Sequence, residues 1–391
     1  MKSWADYVDL LKPAGDILEN STAPVDEQLR ADLYRQFAMN LSQAYFLLMM
    51  ADPRYPEFIP FENSAFLLQP NPDSIYYVAS VEGDGIYRVI GERGNAPVVG
   101  FATGNKMFGT NGVQPGKGFG NYDANDLTLD EDGRFSVIFS TERPEGYDGD
   151  WLHLDPEADF ILLRQFSYDW GNEKDVRVAI ERLNKPAAPR ARLTPEEVDA
   201  KLRHIFAYTG DVSRVGMAAV KRPHDGGFIN NMHIHTFQDM GNGQDWPQAY
   251  FEMVFDIGPD EALVIESALP ETRTYWNVQV IDGLWNQVDI PYRQSSLNGH
   301  TARIDADGKF RAVLSHNDPG YYNWLDTGGN AYGMLIGRWY RCSSTPTPQI
   351  SRMKLSDVAA CLGDGSPKAT ADERDAQLRQ RLIGNQLRKK W

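Results

Sequence analysis

The feature that most constrains this chain is an internal duplication. One run reads Leu129-Asp130-Glu131-Asp132-Gly133-Arg134-Phe135-Ser136-Val137-Ile138-Phe139-Ser140. A second reads Ile304-Asp305-Ala306-Asp307-Gly308-Lys309-Phe310-Arg311-Ala312-Val313-Leu314-Ser315. Each is an apolar residue, Asp, any residue, Asp, Gly, a basic residue and Phe, then a strand-like run ending in Ser. Downstream, Trp151-Leu152 answers Trp324-Leu325, and Arg164 in a strand answers Arg338 in a strand. Gly133 to Arg164 is 31 residues and Gly308 to Arg338 is 30. Agreement over that distance marks a repeated structural unit. Each Asp-x-Asp-Gly reads as a turn, with Gly supplying the positive φ and Asp bonding the turn backbone. A calcium loop would need more oxygen ligands at regular spacing and a distal bidentate acid. Two like β units in tandem must each bury their faces by stacking two sheets. The expected fold is therefore mainly β, two tandem jelly-roll-like β-sandwich domains with helical N-terminal, inter-domain and C-terminal segments. The junction of the repeats is the natural place for a cleft.

The rest of the chain is read around that pair. Tyr7, Leu10 and Leu11 fall at helical spacing, and Pro13-Ala14-Gly15 is expected to end or kink that element. A longer helix is predicted from about Val25 to Met50, with Leu29, Leu33, Phe37, Leu41, Tyr45 and Leu48 as its apolar stripe and Pro53 and Pro56 closing it. Short runs rich in β-branched and aromatic residues then predict strands at 75–81, 87–90, 98–102, 135–139 and 160–166. Lys174 to Leu183 reads as helical. Thr194-Pro195-Glu196-Glu197 is a capping box with an early proline, opening a helix expected to reach about Tyr208. Strands are predicted again at 250–255, 263–267, 275–281, 310–315 and 334–340. Ser and Pro residues and then helices follow, the last opened by Thr370-Ala371-Asp372-Glu373. The expected organisation is N-terminal helices 1–58, a first sandwich 59–172, a helical insert and linker 173–245, a second sandwich 246–343 and C-terminal helices 344–391.

A net charge of −15 argues against nucleic acid and against electrostatic docking on an anionic membrane. The basic tail Arg388-Lys389-Lys390 suits a helix C-terminus. Two cysteines, Cys342 and Cys361, cannot staple a chain of 391 residues, which fits a reducing compartment. Acids interrupt any apolar stretch at the N-terminus and no apolar run is long enough to span a membrane, so a cytoplasmic protein is expected. Long terminal helices make a homodimer plausible.

The stretch from Tyr275 to Arg341 resembles the bacterial family catalogued as domain of unknown function 1214. The matching residues include Arg293-Gln294-Ser295-Ser296-Leu297-Asn298-Gly299-His300, the Asp-x-Asp-Gly-Lys-Phe turn, His316-Asn317-Asp318-Pro319-Gly320, Asn323-Trp324-Leu325-Asp326-Thr327 and Gly337-Arg338-Trp339. The earlier Pro70-Asn71-Pro72-Asp73-Ser74-Ile75-Tyr76-Tyr77 is similar to the opening of the partner β domain in the same proteins. The resemblance implies a jelly-roll pair over most of 70–342 and little about chemistry. The N-terminal helices and the insert around 173–245 lie outside it.

Candidate chemistry rests on a few side chains. His316 sits where a strand ends, with Asp318 two residues on able to orient an imidazole. Asp318-Pro319-Gly320 also reads simply as a turn. His300 closes a polar loop, and Arg293 before it could bind a carboxylate or phenolate or form a structural salt bridge. His316, Asp318, His300 and Arg293 are the candidate catalytic residues. Trp276, Trp285, Tyr321, Tyr322, Trp324 and Asn298 are the candidate substrate-binding residues. His233-Ile234-His235 would place two imidazoles on one strand face, a start for a metal site needing a third ligand from Asp239, Glu252 or a loop histidine. The glycine-rich stretch from Gly104 to Asn125 has the wrong spacing for a phosphate loop and reads as a loop beside a cleft or an ordinary surface loop. No nucleophile elbow is present.

The leading expectation is an enzyme using histidine-centred acid–base chemistry, a lyase or isomerase, on a small aromatic or phenolic compound, with no cofactor. One alternative is a metal-dependent hydrolase using His233 and His235 with a divalent metal. Another is a non-catalytic jelly-roll module for carbohydrate binding or assembly.

Overall fold

The computed structural model describes residues 1–61, 71–114, 116–240 and 246–388. Helix α1 (Trp4–Val8) opens on a capping box of Ser3 and Asp6. It continues past Pro13 as a 3-10 segment, Asp9–Asn20. Pro13 therefore does not end the helical stretch, because Ala14, Ile17 and Leu18 are buried against Leu33 and Met217 and hold the turns in place. Helix α2 (Glu27–Ala44) passes into a π-turn segment at Tyr45–Met50. Only part of the apolar stripe predicted for it is buried. Leu33 is buried but Tyr45 is exposed, and Gln36, Asn40 and Gln43 form the inner face. Their amides meet partners on other elements: Gln36 donates to Leu284 O and Asn286, Asn40 to Thr209 O and Ser213, and Gln43 accepts from the Tyr208 hydroxyl. Buried polar groups survive where each finds such a partner.

The first sandwich holds β1 (Ile59–Pro60), β2 (Ser74–Ser80), β3 (Tyr87–Glu92), β4 (Val98–Gly104), β5 (Thr110–Val113), β6 (Gly118–Asp123), β7 (Arg134–Ser140), β8 (Asp150–His153), β9 (Phe160–Phe166) and β10 (Arg177–Arg182). One sheet has the order β1-β2-β9-β4-β6 and the other β10-β3-β7-β8. The segment read as a helix at Lys174 to Leu183 is thus the strand β10. Its half-buried residues Val178 and Ile180 alternate with exposed ones and pack on the first core, and it pairs with β3 from Arg177↔Glu92 to Arg182↔Tyr87. Period two won over the helical reading.

Helix α3 (Pro195–Asp225) starts at the predicted capping box of Thr194 and Glu197 and runs far beyond Tyr208. Its later turns bury Thr209, Val212, Ser213, Gly216, Met217 and Val220, so tertiary packing extends it. The second sandwich follows with β11 (His233–Thr236), β12 (Gln248–Asp256), β13 (Glu261–Ser267), β14 (Arg273–Asp282), β15 (Ser296–Asn298), β16 (Phe310–Ser315), β17 (Trp324–Asp326), β18 (Tyr332–Cys342) and β19 (Gln349–Lys354). Its sheets have the orders β11-β12-β18-β14-β15 and β17-β16-β13-β19. The strand β19 lies in the stretch read as C-terminal helices, because its edge completes the sheet beside β13. Helices α4 (Val358–Leu362) and α5 (Ala371–Leu387) end the described chain, the latter on the predicted capping box of Thr370 and Glu373.

The duplication extends to the whole topology. Taken in chain order, β1, β2, β3, β4, β6, β7, β8, β9 and β10 correspond to β11 through β19, each with the same neighbours. Among the described strands only β5 has no counterpart. Both repeats contain a parallel pair at the same register, Ile138↔Trp151 and Val313↔Trp324. Gly133 and Gly308 adopt φ of 75° and 80° in the matching turns. The turn reading of Asp-x-Asp-Gly is observed, with the Asp130 carboxylate accepting from Asp132 N and Arg134 N. Each sandwich has its own apolar core, one around Phe101, Phe139 and Leu163, the other around Phe251, Trp276 and Trp339. A third cluster, Val98, Phe166, Phe237, Trp246, Tyr275 and Tyr340, is the seam between the repeats.

Candidate functional site

The seam is built from corresponding residues. Phe166 pairs with Val98 and Ser74, while Tyr340 pairs with Tyr275 and Gln248. Phe166 and Tyr340 meet edge to face at 6.4 Å. Two residues before each, on the same strand face, stand Arg164 and Arg338. Arg164 lies between Tyr76 and Gly100, and Arg338 between Tyr250 and Asn277. Eight residues beyond Gly100 and Asn277 come Phe108 and Trp285, which also meet, at 5.7 Å. Contacts between corresponding residues are what an approximate two-fold relation between the inner sheets produces.

Next to this seam lies a cavity of about 550 Å³, lined by both inner sheets, by α3 residues such as Ala218 and Arg222, and by the glycine-rich segment around Met107 and Phe108. The one insertion that breaks the duplication thus forms a wall of the cavity. Trp285 is held with φ of 70°, a left-handed conformation unusual for a bulky residue. Its turn is fastened by the Asp282 carboxylate, which accepts from Leu284 N, Asn286 N and Asn286 Nδ2. Burial raises the Asp282 carboxyl to about 6 despite those donors.

Both arginines point into this cavity. Arg164 is 8% exposed and Arg338 4% exposed. The Arg164 guanidinium lies 4.5 Å over Trp246 and 5.7 Å from Phe237, and its buried Nε has no hydrogen-bond partner among the described residues. Arg338 lies 5.4 Å over Tyr250 and reaches only the amide oxygens of Gln279 and Asn277, at 3.3 and 3.4 Å. Among the described residues no carboxylate pairs with either. Burial lowers the Arg164 pKa, opposed by the Tyr76, Tyr250 and Tyr340 hydroxyls. An aromatic ring beneath a guanidinium fixes its plane and leaves its edge free for a planar acid.

The second repeat adds titratable groups. His235 pairs across the sheet with Tyr250, and the two rings stack at 5.3 Å. His233 stacks on His235 at 5.6 Å and on Phe228 at 4.3 Å. His235 Nδ1 is 3.7 Å from the buried Glu252 carboxylate, which Arg222 holds at 2.8 Å. Burial lowers the His235 pKa, opposed by Glu252, so the imidazole is neutral at neutral pH. His233 and His235 do share a face, yet no group of three or more His, Cys, Asp or Glu side chains with metal-holding geometry occurs among the described residues.

The other candidate residues are dispersed. His316 Nδ1 is 2.9 Å from Thr327 Oγ1, and Asp318 is paired with Arg374 at 2.8 Å rather than with the imidazole. Arg293 is paired with Asp326 at 2.9 Å. Trp276 is in the second core beside Phe310 and Trp339. Tyr321 is buried with its hydroxyl on Gly363 O, and Trp324 donates to Ser315 O beneath Arg374. Trp285 alone of the candidate substrate-binding residues lines the inter-repeat cavity. Asn298, His300 and Tyr322 come together in a second cavity of about 550 Å³ under α5. There His300 is largely exposed, 3.7 Å from Asp169, and Asn298 donates to Asp73. His300 and His316 do not share a cavity among those lined by described residues.

Sequence reasoning matched Arg164 with Arg338 as a sign of duplication and did not read them as a site. The signal was present: an arginine in the middle of two otherwise apolar strands has to be satisfied by something.

The class is a tandem β-sandwich protein whose two repeats meet beside an open cavity. The model of the family described as Protein of unknown function (DUF1214) matches residues 101–167 in the first repeat and 258–344 in the second. The match in the first repeat widens the resemblance seen from Tyr275 to Arg341. A solved structure of an uncharacterized protein from Burkholderia cenocepacia is 27% identical with a TM-score of 0.83, covering 90% of this chain and 97% of that one. The VPA0106 protein from Vibrio parahaemolyticus is 13% identical with a TM-score of 0.44, covering 88% and 100%. No curated protein matches the chain. No helix among the described residues is long and apolar enough to cross a membrane.

Proposed function

We propose that the inter-repeat cavity takes a small organic acid with an aromatic or otherwise apolar body, and that the protein acts on it by acid–base chemistry without an organic cofactor. The observation that carries this reading is Arg164, a buried guanidinium backed by Trp246 and Phe237 whose Nε has no partner among the described residues. A buried charge without a counter-charge is costly, and an anionic occupant removes that cost. The aromatic wall of Phe108, Phe237, Tyr250 and Trp285 suits an apolar body.

His235 is the imidazole of this cavity, and it takes the role first assigned to His316 and His300. Neutral and beside Glu252, it has the chemistry to remove a proton from carbon next to a carbonyl of the bound acid, as a lyase or isomerase requires.

Phenylpyruvate is a direct probe, combining a carboxylate, an aromatic ring and exchangeable benzylic protons. Isothermal titration should show binding that Arg164→Met weakens at least about tenfold, in line with a charge-assisted contact. Proton NMR in D2O should show catalysed benzylic exchange, reduced about 10²-fold or more in His235→Gln with binding retained. Binding indifferent to Arg164→Met would sink the site, and binding without exchange would make the protein a binding module.

A further inference from the structure

We propose that the natural occupant of this cavity is a diacid, with one acidic group held by each repeat. The proposal deepens the organic-acid reading above and rests on it. Its ground is a charge count together with the near two-fold build of the cavity walls.

Among the described lining residues the charged groups are Lys106, Lys117, Arg164, Arg222, Glu252 and Arg338. Lys106 and Lys117 lie on the glycine-rich segment, and Lys117 reaches Glu157 outside the cavity. The single lining carboxylate, Glu252, is engaged by Arg222 at 2.8 Å. Lys106 is exposed to solvent, which leaves Arg164 and Arg338 as the buried cations, both nine-tenths buried or more and neither paired with a carboxylate among the described residues. They occupy corresponding positions on β9 and β18, each beside a tyrosine on the neighbouring strand, Tyr76 or Tyr250. A duplicated anchor on two facing sheets supplies two like subsites. An occupant with one charge would leave one guanidinium buried and unpaired, which is the costly state. A linear diacid satisfies both, with its apolar middle against the lining aromatics Phe166 and Tyr250.

The test compares phenylacetate, 1,4-phenylenediacetate and phenyl phosphate by isothermal titration at pH 8 with the full chain. The diacid is expected to bind at least tenfold tighter than phenylacetate. Arg164→Met and Arg338→Met should each bring the diacid down to the affinity of the monoacid. Equal affinity for the two carboxylates, with both arginines still required, would overturn the diacid and leave the organic-acid reading standing. Phenyl phosphate binding tightest would overturn it in favour of a dianion carried on one centre. Affinity independent of both arginines would overturn the organic-acid reading itself. A ligand-free control separates site from scaffold: Arg164→Met should melt at or above the wild type. A markedly lower melting temperature would show that the arginine holds the fold, and would overturn the proposal.

Discussion

The two inner sheets have the same skeleton and different chemistry. In the first, the row across the strands reads Tyr76, Arg164, Gly100, Asp123; in the second it reads His235, Tyr250, Arg338, Asn277, Asn298. The arginine and its tyrosine are retained in both. Beyond them the repeats diverge. The first repeat contributes the inserted segment that walls the cavity, while the second contributes the imidazole and its carboxylate. On the proposed function, duplication doubles an anchor, and divergence on either side of it separates enclosure from proton transfer. The buried arginine and its tyrosine are common to both repeats, and the histidine with its carboxylate is not.

The largest effect that sharpens this comparison is expected at the seam. Phe166→Ala and Tyr340→Ala remove corresponding rings from one buried cluster. Each should cost about 3–5 kcal/mol in urea unfolding, the usual range for deleting a buried aromatic ring. A loss under about 1 kcal/mol in one and a large loss in the other would break the two-fold description of the seam.

A smaller effect tests the divergence. Five residues beyond Gly100 stands Asn105, and five beyond Asn277 stands Asp282, so Asp282→Asn gives the second repeat the residue of the first. The folded pKa of Asp282 is raised to about 6 from 3.8, so the native state holds this proton more tightly than the unfolded chain. Its stabilising contribution is therefore complete below about pH 4 and lost as pH rises to about 6. The loss amounts to about 3 kcal/mol from roughly 1.36 kcal/mol per unit. Unfolding free energies measured from pH 4 to pH 7 should fall more steeply in the wild type than in Asp282→Asn. Parallel profiles would show that the carboxylate stays ionised and that its three donors outweigh burial.

The smallest effect concerns the turns that first revealed the repeat. Gly133 and Gly308 both have positive φ and open space where a Cβ would stand. Gly133→Ala and Gly308→Ala should each cost about 1–2 kcal/mol from backbone conformation alone. Unequal costs would mean that the two turns are under different constraint despite their common sequence.

These comparisons also show what was legible in the sequence. The tandem sandwiches could be read because a turn motif, a Trp-Leu pair and an arginine recur at nearly equal spacing, and all three fall at matching registers. The strand β10 was missed because Val178 and Ile180 are too few to separate a two-residue from a helical period without their partner β3. The length of α3 was missed because Thr209, Ser213 and Gly216 look like helix-weakening residues, and only the fold shows Asn40 of α2 bonding Thr209 O and Ser213 Oγ. The site was harder to read. Trp285 was singled out and does line the cavity, but proximity of His316 to Asp318 in sequence did not bring them together, since Arg374 from α5 takes the carboxylate. Pairings made between separate elements, such as Arg164 over Trp246 and His235 beside Glu252, become visible only with the sheet registers.

The most direct test is a crystal structure with phenylpyruvate bound. The account predicts its carboxylate within hydrogen-bond distance of Arg164 or Arg338, with the ring against the Phe108–Trp285 wall. A ligand seated instead in the cavity under α5, or Arg164 found paired with one of the chain's own carboxylates, would contradict it.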